Sequence, residues 1–180
     1  MKHLALAAAV LALTAAAHAQ ETKVAVAISG WTGFAPLTLA KEAGIYKKLG
    51  LDVTIKKIPQ KDRHLAIASG DVQCAATTVE TWIVWNANGV PTTQIFQLDK
   101  SYGADGMVVK PGIAKIADLK GKTIAASAPG TSPFFLMAGM LSKNGLTVKD
   151  VKVVNLEPQP AASAMVTGTA GIDAAMTYEP

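Results

Sequence analysis

KVAVAISGWTGFAP, residues 23–36, decides how the rest of the chain is read. Lys23 to Ser29 alternates small and β-branched residues, as a strand does. Gly30-Trp31-Thr32-Gly33-Phe34-Ala35 is a glycine-bearing turn, and Pro36 suits the first position of a helix that runs to about Ala43 with Gly44 as its stop. Strand, glycine turn and helix in that order are the first half of a βαβ unit.

The unit repeats downstream. Leu51 to Ile58 reads as a strand closed by Pro59, Lys61 to Ser69 as a helix stopped by Gly70, and Gln73 to Ala76 as a short buried strand. Thr78 to Asn88 reads as a helix with Gly89 behind it, and Thr93 to Leu98 as a fourth strand. After a crossover at Ser101 to Asp105 the alternation restarts. Gly106 to Val109, Thr123 to Ser127, Val151 to Leu156 and Ile172 to Thr177 read as strands; helices begin at Pro133 and Gln159. Such alternation predicts an α/β protein with mainly parallel sheets. Two lobes are expected, residues 20–105 and 106–180. The chain stops at Tyr178-Glu179-Pro180 with no helix to cover its last strand, so the second lobe is expected to be incomplete and one face of its sheet bare.

The N-terminus carries an address. Lys2 and His3 precede an apolar run from Leu4 to Ala17, and Ala17-His18-Ala19 has the small-x-small pattern of a cleavage site. Residues 1–19 read as a secretory signal peptide. The run is shorter than the roughly 20 residues that span a bilayer, which argues against an anchor. Export implies the periplasm.

Composition narrows the function classes. Half of the residues are hydrophobic and 17% are charged, as in globular domains. The net charge is +4, and +3 without the leader's Lys2, but the bases are scattered and not interleaved with aromatics. A nucleic-acid partner is therefore disfavoured. Cys74 is the lone cysteine, so no intramolecular disulfide forms, and it reads as a small buried hydrophobe. His64 is the one histidine outside the leader and reads as exposed in the charged run Lys61 to His64. No Cys or His cluster has metal-ligand spacing, and Cys74 has no base beside it, so neither a metal cofactor nor an enzyme is expected.

In open parallel sheets, ligands sit at the carboxyl ends of the strands. Three strand-to-helix junctions carry candidate residues: Trp31, Thr32 and Phe34; Thr77 and Thr78; Thr131 and Ser132. Helix N-terminal amides there favour an anionic or strongly accepting group. Simpler roles exist for each. Ser132-Pro133 is an ordinary helix start, Thr77-x-x-Glu80 fits a capping box, and Trp31 and Phe34 suit a core. No Lys or Arg lies in these loops, whereas Asp105 does, and Glu179 is a weaker candidate; Asp105 also suits a turn.

Gly33-Phe34-Ala35-Pro36-Leu37, then Lys41-Glu42-Ala43-Gly44-Ile45-Tyr46 and Leu49-Gly50-Leu51-Asp52-Val53, resembles the opening of nitrate/sulfonate/taurine-type solute-binding proteins of ABC transporters. Ala68-Ser69-Gly70-Asp71-Val72, Gly103-Ala104-Asp105-Gly106, Asp118-Leu119-Lys120-Gly121-Lys122-Thr123, Gly130-Thr131-Ser132 and Asp173 to Pro180 extend the resemblance in order. It implies a periplasmic-binding-protein fold of type II, with two α/β lobes and a hinge closing on a small solute, and a membrane permease as partner to a monomer. Carried over, the pocket comprises Trp31, Thr32, Phe34, Thr77, Thr78, Asp105, Thr131 and Ser132, with Glu179 weaker. Converging amides favour an anion, whereas Asp105 and the aromatics Trp31, Phe34 and Tyr178 suit a cationic or amide nitrogen. A small nitrogen- or sulfur-containing organic solute is expected, with its charge open between the two. A periplasmic solute sensor and a pyrimidine-precursor-binding protein of the same fold are the alternatives.

Overall fold

The structure, a computed structural model, describes residues 21–168 and 171–178. The expected signal peptide and Glu179 lie outside the described residues.

Residues 22–75 build a three-stranded parallel sheet in the order β2-β1-β3, from β1 (Thr22–Ile28), β2 (Leu51–Lys57) and β3 (Cys74–Ala75). Four helices accompany it: α1 (Ala35–Glu42), α2 (Ile45–Lys48), α3 (Arg63–Ala68) and α4 (Val79–Ala87). The alternation of β1 divides the core in two. Ala25 and Ala27 pack with Ala66 and Val72 on one face, and Val26 and Ile28 pack with Phe34 and Ala76 on the other. Both faces of β1 are apolar because both are covered, the usual condition of a parallel sheet. Gly44 takes φ +69° between α1 and α2, a left-handed conformation that glycine adopts without a Cβ penalty.

Residues 105–178 form a second sheet in the order β4-β7-β5-β6, from β4 (Asp105–Val109), β5 (Thr123–Ala126), β6 (Lys152–Asn155) and β7 (Ala174–Tyr178). Strand β4 is antiparallel to β7, and the other pairs are parallel. Helices α5 (Ser132–Lys143) and α6 (Pro158–Thr167) cover opposite faces. Ile124, Ala126 and Met176 pack on Met137 and Leu141 of α5, while Ala125 and Ala175 pack on Ala161 of α6.

Three expectations need correction. Strand β7 is not bare: it sits between β4 and β5, and Ala174, Ala175 and Met176 are at most 1% exposed. Chain order misleads here, because the strand that comes last in the sequence pairs centrally, between β4 and β5. Thr93 to Leu98 is not a strand. The segment pairs with no strand: it is anchored just ahead of its start, where Trp82 Nε1 donates to Thr92 O and the Asn86 side chain brackets Thr92, and Leu98 packs on Ile28, Phe34 and Ala76. The helix read from Lys61 begins as a 3-10 turn, Gln60–Asp62, and becomes α-helical at Arg63.

Candidate functional site

A cleft of about 580 Å³ opens where the carboxyl ends of the two sheets face each other. The first lobe lines it with Ile28, Ser29, Gly30 and Thr32 after β1 and with Lys57, Ile58 and Pro59 after β2. The second supplies Glu157, Pro158, Gln159, Pro160 and Ala162 at the start of α6, and Thr177 and Tyr178 at the end of β7. Its size is that of small-molecule sites. A concavity of similar volume bounded by Lys110, Asp118, Lys122 and Asp173 has its charges spent on structure. There Lys110 pairs with Asp173 at 3.9 Å, and Asp118 accepts the backbone N–H groups of Ala114 and Lys115.

Arg63 does not line the cleft but holds the wall behind it. It is 1% exposed, its Nε donates to Ile58 O at 2.9 Å, and its Nη1 donates to Ala76 O at 2.5 Å. Both acceptors lie just past strand ends, so the guanidinium fastens β2 to β3 immediately behind the cleft. Its Nη2 is buried without a partner among the described residues. The guanidinium lies over the Phe34 ring at 5.8 Å, a cation–π contact. Phe34 meets Trp31 edge to face at 5.0 Å, and a methyl group on Gly33 would come within 2.6 Å of the Trp31 ring. Gly33 is thus the residue that lets Trp31 fold back over its own turn.

Across the cleft stand Glu157 and Tyr178, both half-buried. Burial pushes the Glu157 carboxyl up, and nearby Arg63 and Ser127 offset part of that rise. Burial also raises the Tyr178 phenol, with Glu157 adding to it. Burial lowers Arg63 to about 10, opposed by the negative potential of Glu157 and Tyr178. Among the described residues the ion pairs within 4 Å are Lys61–Asp62 and Lys110–Asp173, so Arg63 and Glu157 sense each other without touching. Ser127 Oγ, at the end of β5, is buried close enough to favour the Glu157 anion but makes no well-formed hydrogen bond among the described residues.

Helix α6 starts on the cleft wall, and its first-turn amides are free of a side-chain cap; α1, α4 and α5, whose first turns lie outside the lining, are uncapped as well. The expected Thr77–Glu80 capping box is absent, which corrects that simpler reading. Thr78 is the N-cap of α4, and Thr77 Oγ1 and Glu80 Oε1 are buried without partners among the described residues. Buried polar groups are nearly always paired, so these two mark room for water at the start of α4, outside the residues that line the cleft.

Of the residues singled out from sequence, Thr32 lines the cleft, and Trp31 and Phe34 stack beneath it. Thr78 is half-buried; its hydroxyl donates to Thr81 Oγ1 and accepts from Gln60 Nε2. Thr131 is 1% exposed and donates to Ala128 O at 2.7 Å, while Ser132 opens α5. Their loop is pressed on the other lobe: at Gly130, with φ +85°, a Cβ would stand 3.1 Å from Val84 of α4. Asp105 is exposed, accepts from the Ser101 hydroxyl, and is the register partner of Tyr178.

Sequence reasoning missed three groups. Arg63 corrects the expectation of no basic residue at the pocket loops; it stands in a run that looks solvated, and only the convergence of two strand-end carbonyls buries it. His64 is likewise half-buried beside Trp85, with ring centroids 6.3 Å apart, not exposed. Glu157 was missed too, although a signal for it exists: Leu156-Glu157-Pro158 is a fourth strand-to-helix junction with Pro at the helix start.

The family model described as NMT1/THI5 like matches residues 31–180. The chain belongs to the NMT1/THI5-like family. Within it, the chain is similar to the taurine-binding periplasmic protein of Escherichia coli K12, with 31% identity over 146 residues, 79% of this chain and 42% of that protein. Two solved structures share the periplasmic-binding-protein fold. The alkanesulfonate-binding protein of Xanthomonas axonopodis pv. citri, bound to MOPS, superposes with TM-score 0.71 at 23% identity over 90% of this chain and 56% of that one. The nitrate-binding protein of Synechocystis PCC 6803 superposes with TM-score 0.65 at 20% identity over 88% and 47%. The chain spans less than half the length of the curated relatives it matches.

Proposed function

We propose that this NMT1/THI5-like chain carries the solute cleft of a periplasmic binding component of an ABC importer. It holds a small nitrogen- or sulfur-containing organic solute between its lobes and hands it to a membrane permease, acting as a binder and not as an enzyme. One observation carries this reading. Strand-end junctions of both sheets, after β1 and β2 in the first lobe and after β6 and β7 in the second, open on one cleft, with the uncapped start of α6 on its wall. Relatives named for binding taurine, alkanesulfonate and nitrate agree with it. Trp31, Thr32 and Phe34 belong to the proposed site, as do Thr77, Thr78, Asp105, Thr131 and Ser132. Arg63, Glu157 and Tyr178 join them.

Isothermal titration of the full-length protein with a panel of small sulfonates, amino acids and inorganic anions tests it. Saturable binding that weakens at least tenfold in Trp31→Ala, with the melting temperature retained, is expected. Binding unaffected by Trp31→Ala removes that residue from the site. Export is tested by mass spectrometry of the periplasmic protein, which should begin near Gln20.

A further inference from the structure

The cleft is polarised between its lobes. The first lobe brings cations: Arg63, with Nη2 unspent behind the floor, and Lys57 on the wall. The second brings Glu157 on the wall beside the Tyr178 phenol, with Asp105 next to Tyr178 across the β4–β7 ladder. Arg63 and Glu157 offset each other only through space, without an ion pair, so the Glu157 carboxyl keeps room for a donor of its own.

A bare anion entering this space gains Lys57 on the wall and the α6 amides, with Arg63 behind them, but must approach a half-buried carboxylate. At low local dielectric that repulsion is poorly screened. A bare cation meets the converse problem at Lys57 and the α6 start. A molecule with an acid group at one end and an ammonium or N–H donor at the other satisfies both walls. It also gives Glu157 a donor, which matters because this carboxylate is half-buried and its neighbour Ser127 Oγ does not form a good hydrogen bond to it.

We propose that Glu157 is the specificity-determining residue of the cleft, selecting small acids that also carry an amine or amide N–H over simple oxyanions. This rests on the cleft being the solute site and adds which class of solute enters it. Discrimination of this kind comes from a repulsive element as much as from an attractive one, and Glu157 supplies both.

Matched pairs of probes that differ by one amine test it: methanesulfonate with aminomethanesulfonate, and acetate with glycine. Affinities are measured by titration calorimetry on the full-length protein, the Glu157→Gln variant and the Glu157→Asp variant, with melting curves as a fold check. The amine-bearing member should bind the unaltered protein about tenfold or more tightly than its partner. Glu157→Gln should bring that ratio close to one, mostly by admitting the bare acid, and Glu157→Asp should keep a preference. Equal affinity within each pair in the unaltered protein, or a ratio that Glu157→Gln leaves unchanged, overturns the role of Glu157 while leaving solute binding intact. Should Glu157→Gln fail to fold, a ratio of one in the unaltered protein still overturns it. If no probe binds either protein, the solute-cleft reading falls together with this one.

Discussion

Glu157 ties the chemistry of the cleft to the stability of the fold. Burial raises its carboxyl pKa, so the folded state holds that proton to higher pH than the unfolded chain does. Below the ordinary carboxylate range both states are protonated and the group costs nothing extra. As pH rises through that range towards the raised value, the unfolded chain ionises first and the fold loses stability. Glu157→Gln should therefore melt higher than the unaltered protein near pH 7, and the two should converge below about pH 4. Differential scanning calorimetry at both pH values checks the sign; a variant less stable at pH 7 contradicts it. Arg63 works in the opposite direction. Arg63→Met leaves the carbonyls of Ile58 and Ala76 without donors, and unmade buried hydrogen bonds cost about 1–3 kcal/mol each. A loss of about 2–4 kcal/mol in urea titration is expected. An unchanged midpoint would mean that the two contacts contribute nothing. Gly33→Ala should disturb the Trp31 ring with little effect on the sheet, read as a shift in near-ultraviolet circular dichroism with the far-ultraviolet spectrum preserved.

Elements obey patterns that residues do not. β1, β2, β5 and β6 were legible because each is a strand-forming run followed by a turn and a helix with its own stop, and the packing they imply is what forms. Ile124, Met137, Leu141 and Met176 share one cluster, with Leu141 fully buried. Leu141→Ala should cost about 2–5 kcal/mol in chemical denaturation, and a loss under 1 kcal/mol would show that the α5 seam is loosely packed. What was not legible required knowledge of neighbours. Thr93 to Leu98 has strand composition but no edge to pair with, and β7 ends the chain yet lies in mid-sheet. The site divides in the same way. Thr32 and the stack of Trp31 on Phe34 follow from the strand-turn-helix pattern of residues 23–36. Arg63 becomes visible only when β2 and β3 place two carbonyls around it, since charge alone in Lys61 to His64 reads as solvated.

At the scale of the whole molecule, two sheets turn their carboxyl ends towards one cleft, and on the proposed reading neither lobe holds a solute alone. The first lobe lines it with residues 28–32 and 57–59, backed by Arg63; the second lines it with Glu157, Tyr178 and the α6 start. The packing of Gly130 against Val84 keeps the lobes in register on one flank of that cleft. A bound solute should therefore slow exchange in both lobes together. Amide hydrogen exchange of the full-length protein, with and without a saturating solute found by titration, measures this most directly. Slowed exchange at residues 28–34 and 58–63 of the first lobe, together with 156–162 of the second, is the predicted result. Slowing confined to one lobe, or centred on Lys110 to Lys122, would contradict it.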